Sequence, residues 1–189
     1  MAGETQKTTA LTNRDSGTLR EARLAGGRVR AAADTHQFAA ATELEAADNL
    51  IMDIAIPSNA IVTDISTFHD DMDTAACPTL AIDIGVAARE AFTSVTSGTA
   101  TKHSKDDIID ADLFVDGATT MQAAVTNWTS LTPDATTHGA EDRLKPVWEL
   151  LGYDADPNTT LNIVVQSQAA AAALGAAADM AIKVEYVTD

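Results

Sequence analysis

The stretch that most constrains this chain is Leu50–Phe68, LIMDIAIPSNAIVTDISTF. Its first run sets Leu50, Met52, Ile54 and Ile56 against Ile51, Asp53 and Ala55. The second sets Ile61, Thr63, Ile65 and Thr67 against Val62, Asp64, Ser66 and Phe68. Strict alternation carried by β-branched residues fits a pleated strand with one buried face; a helix would repeat every 3.6 residues or so. Between the runs, Pro57-Ser58-Asn59 punctuates like a turn. Pro57 has no N–H to give a ladder, which suits a strand end and not a sheet centre. The stretch reads as strand, turn, strand: a hairpin opening an all-β core.

The same alternation recurs along the chain. Asp34–Leu44 reads as a first strand with Phe38 as its large aromatic, and Thr79–Val86 sets Leu80, Ile82 and Ile84 opposite Asp83. Arg143–Leu151 reads as a strand with Pro146 near an edge, and Thr159–Gln168 as another. Ala178–Thr188 closes the series with Met180, Ile182, Val184 and Tyr186 on one face. Residues 87–111 and 127–142 read as long polar loops, and Asp106–Phe114 as a short helix or irregular connection. Leu113–Val125 is too weakly patterned to assign. Ala169–Ala178 has helical propensity, but Gly175 and the strand after it favour a loop. Seven or eight unevenly spaced strands with two long loops predict an antiparallel β-sandwich of jelly-roll type. Residues 34–189 form that domain in this reading. Residues 1–33, polar and broken by Gly3, Gly17, Gly26 and Gly27, form an extended N-terminal arm.

Charge separates the two parts. Residues 1–30 hold six basic side chains (Lys7, Arg14, Arg20, Arg23, Arg28, Arg30) against three acidic ones, a net +3 within a chain of net −16. The remaining 6 basic and 25 acidic residues give the body −19. Such a body repels nucleic acid and anionic membrane, whereas a basic arm suits an acidic protein surface. No apolar run approaches the roughly 20 residues that span a bilayer, and no charged-then-apolar signal pattern opens the chain. A single cysteine, Cys77, excludes an intramolecular disulfide framework.

Catalytic and metal chemistry find little support. His36, His69, His103 and His138 are scattered and lack the two-His-and-carboxylate strand spacing of a metal site. The cluster His69-Asp70-Asp71-Met72-Asp73 has hard oxygen ligands for Ca²⁺ but neither the glycine nor the closing glutamate of an EF-hand, so it reads as a solvated turn. Asp154 and Asp156 read likewise. Nucleophile elbows, phosphate loops and basic aromatic stripes are missing, and Cys77 before Pro78 has no histidine partner in view. The expectation is a non-enzyme without cofactor or metal. Trp128 and Trp148 are candidates for a carbohydrate platform; Trp148 falls in a strand pattern and reads as core, Trp128 in a loop.

Several stretches together resemble the decoration, or cement, proteins of tailed-phage heads. Glu45–Ser66 (EAADNLIMDIAIPSNAIVTDIS) carries most of the likeness. It is joined by Thr79–Val86 (TLAIDIGV), Asp110–Gly117 (DADLFVDG), Val147–Gly152 (VWELLG) and the closing Ala170–Asp189. The resemblance implies a jelly-roll sandwich, usually a homotrimer at the threefold positions, on the outer surface of the virion. It also implies that the partner is the major capsid protein, reached by the N-terminal arms. On this reading Arg14, Arg20, Arg23, Arg28 and Arg30 are the docking charges. The rival reading is a receptor- or glycan-binding module of a head or tail fibre, using Trp128 and the loops 87–111 and 127–142.

Overall fold

The computed structural model describes residues 28–38, 48–131, 142–172 and 178–188. Two four-stranded antiparallel sheets face each other. In sheet A the order is β1 (Arg28–Phe38), β10 (Ala178–Thr188), β3 (Ile61–His69), β8 (Thr129–Ser130). In sheet B it is β2 (Asn49–Pro57), β9 (Thr160–Ala169), β4 (Ala81–Ala88), β7 (Ile108–Ala118). A separate hairpin, β5 (Phe92–Thr96) with β6 (Thr99–His103), interrupts the path from β4 to β7. Apart from that path, each sandwich strand hands over to one in the opposite sheet, which is the wrapping of a jelly roll. The last two strands take central places, β9 between β2 and β4 and β10 between β1 and β3.

One apolar core fills the space between the sheets. Met52, Ile54 and Ile56 of β2 and Ile82, Ile84 and Val86 of β4 enter it from sheet B, as the alternation predicts. Met180, Ile182, Val184 and Tyr186 of β10 enter it from sheet A. Burying an Ile or Val side chain contributes about 2 kcal/mol. With few aromatics, these branched aliphatic rows supply most of the packing. Asp34 closes one side, its Oδ2 accepting the Asp53 N–H at 2.9 Å and so tying β1 to β2.

Five expectations need correction. The Leu50–Phe68 pair is not a hairpin: β2 pairs with β9 and β3 with β10, in different sheets. Ser58, almost wholly buried, holds the crossing; its N–H donates to the Thr159 carbonyl (2.8 Å) and its Oγ donates to Asp156 Oδ1 (2.5 Å). The Thr159 N–H in turn donates to Ser58 Oγ at 3.1 Å. Arg143–Leu151 is not a strand but a 3₁₀ turn (Asp142–Leu144) followed by a short helix, α1 (Val147–Leu150). The first N–H groups of that helix are spent on the crossing, Val147 donating to the Ala60 carbonyl (2.9 Å) and Trp148 to the Ser58 carbonyl (3.0 Å). Gly152, at φ +70°, ends it. Within 87–111 lies the β5–β6 hairpin, and Asp106–Phe114 contributes to β7 and not to a helix. β1 begins at Arg28, inside the stretch expected to be arm, and ends at Phe38; residues 39–44 of the expected first strand lie outside the described residues.

Candidate functional site

Arg28 and Arg30 are exposed strand residues at the start of β1, the edge strand of sheet A, in register with Thr188 and Tyr186. Arg14, Arg20 and Arg23 lie outside the described residues. Between the two arginines Val29 is 72% exposed, which makes this strand end an apolar as well as a basic feature of the surface. The last two of the basic residues therefore sit at one sheet edge, within a strand.

Of the carboxylates expected in solvated turns, Asp70 and Asp154 are exposed, whereas Asp73 is not. Asp73 is buried, and its Oδ2 accepts N–H groups from Thr79 (2.7 Å), Leu80 (3.0 Å) and Ala172 (3.0 Å). It gathers the loop before β4 against the end of β9. Asp154 accepts from the Ser97 and Gly98 N–H groups at 2.9 and 2.7 Å, tying the tip of the β5–β6 turn to the body. Asp83, buried on β4, accepts the Gly117 N–H at 2.7 Å; burial pushes its pKa above the usual 3.8 despite that bond, helped by the nearby Asp116 and Asp112. Burial likewise raises the Tyr153 hydroxyl.

The three described histidines stay apart. His36 meets Phe38 edge to face at 4.6 Å, and His69 is buried with Nδ1 2.8 Å from the Asp70 carbonyl oxygen. His103 stacks on Phe92 and places Nε2 2.9 Å from Ser94 Oγ. His138 lies outside the described residues. Among the described residues no group of three or more His, Cys, Asp or Glu side chains is placed to hold a metal ion, and no helix is long and apolar enough to cross a membrane.

Two of the clefts among the described residues bear on the candidate side chains. One, about 440 Å³, lies beside the irregular part of β2 and is lined by Asp53, Arg89, Lys105 and Asn162 among others. Its Arg89 is already engaged by Asp53 (2.6 Å) and Asn162 (2.8 Å). The other, about 380 Å³, lies on the outer face of sheet A around Ala181. Phe68 forms part of its wall and stands 6.2 Å from the ring of Trp128. Trp128 is 47% exposed, as a loop position implies, whereas Trp148 is half-buried on α1 and not in a strand. The alternation in β3 had placed Phe68 on the same face as Asp64 and Ser66. An aromatic following Asp64 and Ser66 on one face is the signal by which it stands out.

No protein-family model matches the chain, and no curated protein matches it. Among solved structures, the chain is similar to one in the capsid asymmetric unit of cyanophage Pam1, with a TM-score of 0.53, 17% identity and 87% of each chain covered. It is also similar to a chain in the capsid of Ralstonia phage GP4, with a TM-score of 0.55, 19% identity and 86% of each chain covered. At these identities what is shared is the fold.

Proposed function

We propose that the chain is a structural protein of a bacteriophage head, one that decorates the capsid and stabilises it by binding the lattice of major capsid protein. The observation that carries this reading is reciprocal coverage. The likeness to chains from two phage capsids takes in 86–87% of both partners and so is not confined to one motif. The motifs that resemble decoration proteins fall on β2, β3, β4, β7, α1 and β10, all elements of that sandwich or packed on it. Three buried polar groups also favour a structural role, since Ser58, Asp73 and Asp83 are spent on backbone N–H groups.

The mechanism is multivalent clamping from the outer surface of the virion. Arg14, Arg20, Arg23, Arg28 and Arg30 dock on capsid carboxylates, where the planar guanidinium suits bidentate pairing. A homotrimer brings three such segments to one place, and effective concentration turns weak contacts into firm attachment. The acidic body keeps the protein off DNA and anionic membrane, and the protein needs no cofactor and catalyses nothing. Co-sedimentation of purified protein with undecorated shells tests this. Binding is expected to fall with salt and to be lost when the five arginines are replaced by alanine. Undiminished decoration by that variant at raised salt would contradict the docking role.

A further inference from the structure

We propose that the cleft on the outer face of sheet A is a binding site for a neutral carbohydrate, with Phe68 in its wall and Trp128 beside that ring. Its floor is Ala181, which stands in the ladder between Thr35 of β1 and Phe68 of β3. One small side chain between larger neighbours makes the hollow, and about 380 Å³ falls within the usual range of ligand clefts. The adjacent row pairs Gln37 with Asp179. Asp70, just past β3, is held beside them. Its N–H donates to the Asp179 carbonyl and its Oδ2 accepts the Asp179 N–H, both at 3.0 Å.

The other end of the surface is set by Lys183. Its Nζ lies 5.6 Å from the Trp128 ring centroid and 2.9 Å from Glu185 Oε1, so the cation steadies the indole and is itself neutralised. Phe68, tilted 53° to Trp128, is 42% exposed and Trp128 47%. Phe68 on the outer face of β3 and Trp128 in the loop before β8 leave two large rings partly in water, where they do not serve the core. Rings of this kind stack on the C–H faces of a pyranose. The polar groups at the far end favour the same ligand: the side-chain oxygens of Asp70 and Asp179 accept from hydroxyl donors, and Gln37 can both donate and accept. The same carboxylates, on a chain of net −16, repel sialic and uronic acids. A neutral hexose or N-acetylhexosamine is the ligand this chemistry selects. The site stands on its own geometry, whatever surface the protein decorates.

The test is a printed array of neutral hexose and N-acetylhexosamine oligosaccharides with sialylated and uronic-acid glycans beside them. Titration of the best neutral glycan then follows by calorimetry and tryptophan fluorescence. The expected result is retention on neutral spots, weakened about ten-fold or more by Trp128→Ala and by Asp179→Ala with unchanged thermal melting, and largely kept by Trp128→Phe. Phe68→Ser repeats the test on the second ring should Trp128→Ala disturb the fold. Failure of every neutral glycan to bind would overturn the proposal, as would retention of anionic glycans alone or binding indifferent to these variants. Self-association abolished by Trp128→Ala would also overturn it, by giving the patch to a second copy of the chain.

Discussion

Two short connections between consecutive strands do opposite things. Pro57 to Ala60 carries the chain from β2 in one sheet to β3 in the other, whereas Ser97-Gly98 folds β5 straight back onto β6. The second is a two-residue turn with positive φ at both positions, 49° and 76°, whose twist matches a pair of strands. The first has Pro57 closing the ladder and a buried Ser58 whose bonds run to Asp156 and Thr159, away from β3. Alternation says that a segment is a strand with one wet face. It does not name the neighbour, and the turn chemistry decides that.

The largest way to break the sandwich side of this comparison is Gly85→Ala. A Cβ on Gly85 of β4 would sit 1.9 Å from the Asp110 carbonyl oxygen and 2.6 Å from the Ala111 carbonyl carbon, where β7 bulges across it. About 3 kcal/mol of stability should be lost in urea unfolding. Ser58→Ala strikes the crossing itself and leaves the Thr159 N–H and Asp156 short of a partner. A loss of about 2 kcal/mol is expected by the same measurement, and a loss near zero would mean the crossing is held by apolar packing alone.

The hairpin should respond locally. Asp154→Ala removes two acceptors from an exposed turn and should cost about 1 kcal/mol. Hydrogen exchange should quicken at Ser97 and Gly98 while β3 and β10 keep their protection. Ser97→Asn gives the turn the Asn-Gly pair that this geometry favours, with a gain of about 0.5 kcal/mol or less. Equal effects of all four changes on global unfolding would dissolve the distinction between the two regions.

The strands that alternate cleanly were legible in the sequence: β2, β4 and β10 with their core-facing rows, β9 as a strand alone, and β3 with the right row only from Ile65 on, because the shift between Glu185 and Tyr186 leaves Thr63 exposed and turns Val62 inward. β7 was not, because Ile108 and Ile109 are adjacent and the pairing with β4 skips from Asp110 to Val115, so no period survives. β5 and β6 were hidden because Thr99–His103 is exposed on both sides and carries no apolar face, leaving Ser97-Gly98 as the only sign. α1 was misread as a strand because four residues are too few to show a helical period, and its N–H partners come from a loop some 90 residues earlier. Of the candidate residues, Trp128 was legible from its loop position. The cleft beside it was not, since Ala181, Gln37 and Asp179 meet Phe68 only through the pairing of β1, β10 and β3.

The central claim is that this sandwich is a clamp on a capsid shell. Electron cryo-microscopy of the phage particle carrying this protein tests it most directly. The account predicts density for the two-sheet sandwich on the outer surface of the head, at threefold positions, with residues 1–27 running from the β1 edge onto the major capsid protein. Density at a tail tip or fibre, with a head surface bare of it, would contradict the clamp.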